Sequence, residues 1–129
     1  ILGNLQELNQ KFGISIIYIT HDLATGYQIS HNMIVLYHGA VSEVVAVQMA
    51  EGALKASGAD IAVSVTGIAG PDGGSPEKPV GTAWIGLAAN GSQAFAFKVF
   101  HPRNRLDFKL ATSQAALDLV RRKLLEIVV

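Results

Sequence analysis

The chain has 129 residues, 50% of them hydrophobic and 16% charged, with ten lysines and arginines balancing ten aspartates and glutamates. That length and composition suit one buried core, a single domain over residues 1–129, and leave too little chain for two. Balanced charge without a lysine-arginine stripe excludes an electrostatic footprint for nucleic acid, and the lack of cysteine excludes disulfides and thiolate metal sites, which fits a cytoplasmic protein.

Leu2, Leu5, Leu8 and Phe12 recur at helical spacing, and Gly13 ends that predicted helix; the chain thus opens inside a helix, as a segment excised or recombined from something longer would. Ile14 to Thr20 read as a buried strand, Asp22 to Ser30 as a helix and Asn32 to Tyr37 as another strand. Neither apolar run, Ile14 to Ile19 or Met33 to Tyr37, is long enough to span a bilayer, and no signal peptide is visible. Ser42 can cap a helix with an expected buried stripe of Val44, Val47, Ala50 and Leu54, closing at Gly58. Ile61 to Val65 form a further strand. Gly81 to Ala89 and Gln93 to Phe100 flank Asn90-Gly91, a two-residue hairpin signal. A last helix runs from about Leu106 to Ile127, with Leu106, Leu110, Leu117 and Leu124 expected inside and Arg121-Arg122-Lys123 complementing its dipole. The order αβαβαβββα predicts an α/β fold, a three-layer α/β/α sandwich with a mixed sheet.

Between the strand at Ile61 and the strand at Gly81 lies a loop too long for an ordinary turn. Gly67, Gly70, Gly73 and Gly74 let its backbone come close to a ligand, while Pro71, Pro76 and Pro79 stiffen it. A loop leaving the carboxyl end of a strand is where open α/β sheets bind ligands, although a purely structural surface loop would look the same by residue type. It holds neither a Walker Gly-Lys-Ser/Thr nor a dinucleotide Gly-x-Gly-x-x-Gly.

The run Val65-Thr66-Gly67-Ile68-Ala69-Gly70-Pro71, continued by Ser75-Pro76-Glu77-Lys78-Pro79-Val80-Gly81-Thr82, closely resembles the CinA C-terminal domain family, the nicotinamide-nucleotide amidohydrolases. Gly39-Ala40-Val41-Ser42-Glu43, Met49-Ala50-Glu51-Gly52, Gly58-Ala59-Asp60 and Ala115-Ala116-Leu117 extend the likeness over about residues 38–126. The first part, Leu5 to Ala24, is instead similar to the ATP-binding subunit of oligopeptide-type ABC transporters, in which a histidine at the position of His21 senses the terminal phosphate of ATP. Read so, residues 1–39 and 40–129 come from two families that meet near His38-Gly39-Ala40. The transporter piece carries no Walker A loop, Walker B carboxylate or signature motif, so ATPase activity is not expected.

The resemblance implies a hydrolase that cleaves the carboxamide of nicotinamide mononucleotide, with a hydroxyl attacking the amide carbon and loop N–H groups stabilising the oxyanion. The family's Glu-Ser-Cys-Thr-Gly-Gly segment, source of its presumed nucleophilic serine, is absent from this sequence, and so is its lysine-bearing turn. Weak or absent turnover is therefore expected, the alternative being a non-catalytic chimeric or truncated fold or a transporter remnant. Thr66 and Tyr37 are the candidate catalytic hydroxyls, with Tyr37 near the strand end that carries the family's tyrosine. Thr66 reads otherwise as a plain β-branched strand residue. Gly67, Ile68, Ala69 and Gly70 are the expected substrate-binding backbone. Lys78 and Arg105 are phosphate candidates, against ordinary readings as a solvated loop lysine and an exposed helix-start arginine. Asp22 beside His21 is better read as a helix cap than as a partner, and His31, His38 and His101 lack metal-ligand spacing, so no metal and no cofactor is expected. The expected partner is a small-molecule nucleotide, with a homo-oligomer left open.

Overall fold

The computed structural model describes residues 13–20 and 41–128. The expected helices over 2–12 and 22–30 and the strand over 32–37 lie outside these residues. The described elements are β1 (Ile16–Thr20), α1 (Glu43–Ser57), β2 (Ile61–Gly67), β3 (Thr82–Ala89), β4 (Phe95–Phe100) and α2 (Arg105–Val128).

The strands form a mixed sheet in the order β1-β2-β3-β4. β1 runs parallel to β2, with Ile16 opposite Ile61, while β2 and β3 pair antiparallel with Thr66 opposite Trp84, and β3 and β4 antiparallel with Leu87 opposite Phe95. α1 and α2 cover opposite faces, giving the expected three layers. On the α2 face Tyr18, Ile61, Val63, Val65, Ile85 and Leu87 pack with Ala116, Leu117, Val120 and Leu124; on the α1 face Ile17, Ile19 and Ala62 pack with Met49 and Ala53. Strand alternation sends neighbouring residues to opposite faces, which is why β2 is buried from Ile61 through Thr66.

Local chemistry sets the ends of α1 where the sequence puts them. Ser42 Oγ accepts from the Val45 N–H at 3.2 Å, and Gly58, at φ 68°, donates its N–H to Leu54 O at 3.1 Å. The inward face is as expected at Ala50, which is buried, and at Leu54, which packs half-buried against the core, but Ala46, Met49 and Ala53 complete it, whereas Val44 is 64% exposed. The reason lies across the interface. A side chain at Gly86 of β3 would strike the Ala46 carbonyl, and Ser64 Oγ donates to that same carbonyl at 2.6 Å, so the helix backbone rests on the sheet and only small residues fit between.

α2 is capped by Asn104, whose Oδ1 accepts from the Asp107 N–H at 2.9 Å and whose Nδ2 donates to Asp107 Oδ2 at 3.0 Å. Here too the expected stripe is only half right. Leu117 and Leu124 are buried, but Leu106 and Leu110 are exposed. The fully covered line is Phe108, Thr112, Ala116, Val120 and Leu124. That is a four-residue ridge, which slants across the helix axis instead of running along it, and it carries the contact away from Leu106 and Leu110. At the hairpin Ser92 donates to Ala89 O at 3.1 Å around Asn90-Gly91, with β4 beginning at Phe95, later than the expected Gln93. Among the described residues no helix is long and apolar enough to cross a membrane.

Candidate functional site

β2 ends at Gly67, and the glycine loop begins by extending the ladder. Ile68 donates to Thr82 O and Gly81 to Ile68 O, each at 2.8 Å, so both ends of the loop are pinned to each other. A Cβ at Gly67 would lie 2.8 Å from Ala83 Cβ and 3.1 Å from the Phe108 ring, so the strand passes under the start of α2 only because this residue is glycine. Gly70, at φ 80°, turns back over Val80, whose side chain fills the space a Cβ there would need. At the tip Ser75 donates to Lys78 O at 2.9 Å and Lys78 N–H donates to Ser75 Oγ at 3.0 Å. Arg105 ties the loop to α2, donating from its guanidinium to Gly70 O at 3.1 Å.

Between this loop, the carboxyl end of β2 and the first turns of α2 lies a cavity of about 320 Å³. Val65, Gly67, Ile68, Ala69 and Gly70 line it from the strand and loop, and Tyr18 from β1. Arg105, Phe108, Lys109, Thr112 and Ser113 line it from α2, with Asp72 and Gly73 toward the loop tip. Phe108 and Val65 supply apolar walls, Arg105 and Lys109 positive charge, and Asp72 a carboxylate. Ser113 Oγ is engaged within its own helix, donating toward Lys109 O at 2.8 Å and Leu110 O at 3.1 Å. Thr112 Oγ1 is buried without a partner among the described residues. Among the described residues no group of three or more His, Cys, Asp or Glu is placed to hold a metal ion.

Of the residues singled out in the sequence, the cavity brings together Gly67, Ile68, Ala69, Gly70 and Arg105. Thr66 is fully buried and is not among the lining residues; its neighbours Val65 and Gly67 line the cavity, and alternation turns its side chain to the α1 face. Lys78 is exposed at the loop tip, away from the lining. Tyr37 and His21 lie outside the described residues. The sequence reading missed Tyr18, Lys109, Thr112 and Ser113. The α2 members were signalled by the spacing Arg105, Lys109, Thr112, Ser113, a polar strip at helical period, which the assignment of Leu106 and Leu110 to the core obscured.

A family model described as the CinA C-terminal domain matches residues 15–124. A CinA-like protein of Akkermansia muciniphila is 55% identical over 80 residues, which is 62% of this chain and 19% of that protein. A CinA-like protein of Geotalea uraniireducens is 56% identical over 90 residues, 69% of this chain and 21% of that protein. The chain thus spans about a fifth of the length of these curated relatives. The crystal structure of competence/damage inducible protein CihA from Agrobacterium tumefaciens superposes with a TM-score of 0.85 at 26% identity, over 94% of this chain and 92% of that one. The competence damage-inducible protein A (ComA) from Klebsiella pneumoniae, at TM-score 0.77 and 21% identity over 95% of this chain and 94% of that one, shares the fold. The family match reaches back through β1, inside the stretch read as a transporter piece, and β1 is an integral strand of the sheet. None of these comparisons supports the transporter segment or a chimera.

Proposed function

Because the chain belongs to the CinA C-terminal domain family, we propose that it carries a mononucleotide cavity of the nicotinamide-nucleotide amidase type, with weak or absent turnover of its own. The observation that carries this reading is the cavity at the end of β2, where the glycine loop and the cations of Arg105 and Lys109 meet. Guanidinium and ammonium groups side by side suit a phosphate, and Arg105 is already oriented by Gly70 O. Glycine at 67 and 70 brings bare backbone to the cavity wall, where a carboxamide can be gripped. The volume is at the lower end of the range for small-molecule sites and suits one nucleotide better than two.

Amide hydrolysis needs a hydroxyl activated by a base within hydrogen-bond reach. The family's serine segment has no counterpart in this sequence, Ser113 spends its proton on helix carbonyls, and Thr66 faces the other side of the sheet. Binding without appreciable turnover follows, in the cytoplasm, with nicotinamide mononucleotide as the expected ligand. Calorimetry and an ammonia-release assay test the two halves separately. Saturable binding with release at background is expected. Release at about 1 per second or faster would overturn the inactive reading, and no saturable binding would overturn the cavity assignment.

A further inference from the structure

The buried ridge of α2 is apolar except at one position. Phe108, Ala116, Val120 and Leu124 cover the sheet as expected of a core, but Thr112 puts a hydroxyl among them while being only 3% exposed. Threonine inside a helix ordinarily satisfies its hydroxyl on the carbonyl one turn back. Thr112 Oγ1 makes no such bond and has no other partner among the described residues, although the residue lines the cavity. A buried hydroxyl left unmatched is unfavourable for folding, and an isosteric valine would avoid that penalty, so its presence asks for a partner that the described residues do not supply.

The same helix turns carry the groups that such a partner would meet. At about 100° per residue, Arg105, Lys109 and Thr112 fall within about 60° of helix circumference. Two cations and a hydroxyl on one strip of the cavity wall offer several donors together, which matches the oxygens of a phosphate group, while the Asp72 carboxylate stands toward the loop tip. Helical threonine has two accessible χ1 wells, so a bound phosphate selects the one that turns the hydroxyl toward the cavity.

We propose that Thr112 is a binding residue of this cavity, donating its hydroxyl proton to a phosphate oxygen of the ligand alongside Arg105 and Lys109. The inference rests on the mononucleotide reading above and adds to it the residue that senses the phosphate.

The test compares the unsubstituted chain, Thr112→Val and Thr112→Ser by calorimetric titration with nicotinamide mononucleotide and with nicotinamide riboside, which lacks the phosphate. Thr112→Val is expected to weaken mononucleotide binding on the order of 5-fold to 10-fold, the worth of one hydrogen bond, and to lower the preference for mononucleotide over riboside by the same factor. Its Tm without ligand should stay level or rise, because an unmatched hydroxyl has been removed, and Thr112→Ser should restore the affinity. A structural role alone would not move the ligand preference. Mononucleotide affinity within 2-fold of the unsubstituted chain, or an equal loss for the riboside, would overturn the inference while leaving the cavity reading intact. Failure of the unsubstituted chain to bind the mononucleotide would instead remove the cavity reading, and this inference with it.

Discussion

The two faces of the sheet are built to opposite rules. On the α1 face alanines meet Gly86 and Ser64, and the helix backbone lies almost on the strands. On the α2 face large side chains hold the helix off the sheet at its C-terminal half, while at its N-terminal half Arg105, Lys109 and Thr112 share the wall with Phe108 and leave a cavity. Close packing of small residues makes a rigid floor with no room for a ligand; spacing by longer side chains makes a pocket at the end where apolar filling stops.

The contrast can be broken most severely at Gly86. Gly86→Val drives a side chain into the Ala46 carbonyl and Ser64 Oγ, so a loss of about 4 kcal/mol or more is expected, read as a collapse of the urea midpoint. A midpoint shift under about 1 kcal/mol would mean that α1 can lift off its floor. On the other face Leu124→Ala removes a fully buried side chain and should lower stability by about 3 kcal/mol, with mononucleotide affinity unchanged because Leu124 lies outside the cavity lining. Loss of affinity in step with stability would show that the two halves of α2 do not act separately. Arg105→Ala takes away a cation and the tie to Gly70 O, and a roughly tenfold weaker mononucleotide titration, about 1.4 kcal/mol, is expected. An unaltered titration curve would take Arg105 out of the site.

The smallest effect belongs to the outward surface of α2. The hydrogen bond from Arg121, with the charge of Arg122 beside it, holds the Asp118 carboxyl below the usual carboxylate range. A carboxylate with a lowered folded-state pKa stabilises above its ordinary value, and that contribution is lost as pH falls through the lowered one. Asp118→Asn should therefore differ slightly from the unsubstituted chain in urea midpoint at pH 7 and not at all in strong acid, and salt should shrink the difference. A difference that persists in strong acid would refute the assignment.

What the sequence made legible was local. Ser42 and Gly58 mark the ends of α1 because capping is decided within a few residues, and the β2 and β3 strands and the Asn90-Gly91 turn are equally short-range. Gly67 to Gly70 and Arg105, singled out through a motif, fall together in the lining of the cavity. The inward faces of the helices were legible only in part, at Ala50, Leu54, Leu117 and Leu124. Nothing near Val44 or Val47 announces that Gly86, some forty residues on, leaves space only for alanine. Along α2 the four-residue ridge reflects how the helix crosses the sheet, and the polar strip at Arg105, Lys109 and Thr112 gains meaning only once the glycine loop is folded over it. Thr66 was singled out because the motif runs through it, and strand alternation sets it outside the cavity lining.

Val80 has a consequence for how quickly a ligand is caught. Its side chain is the keystone of the glycine loop, filling the space beside both Gly70 and Gly74, so the loop is packed around a residue of its own. Fixing a slack loop costs on the order of 1 kcal/mol per residue and introduces a slow closing step after encounter. A loop that already has a centre meets the arriving molecule as standing wall, so capture should proceed in a single phase whose rate rises in proportion to ligand concentration, without a plateau set by the protein.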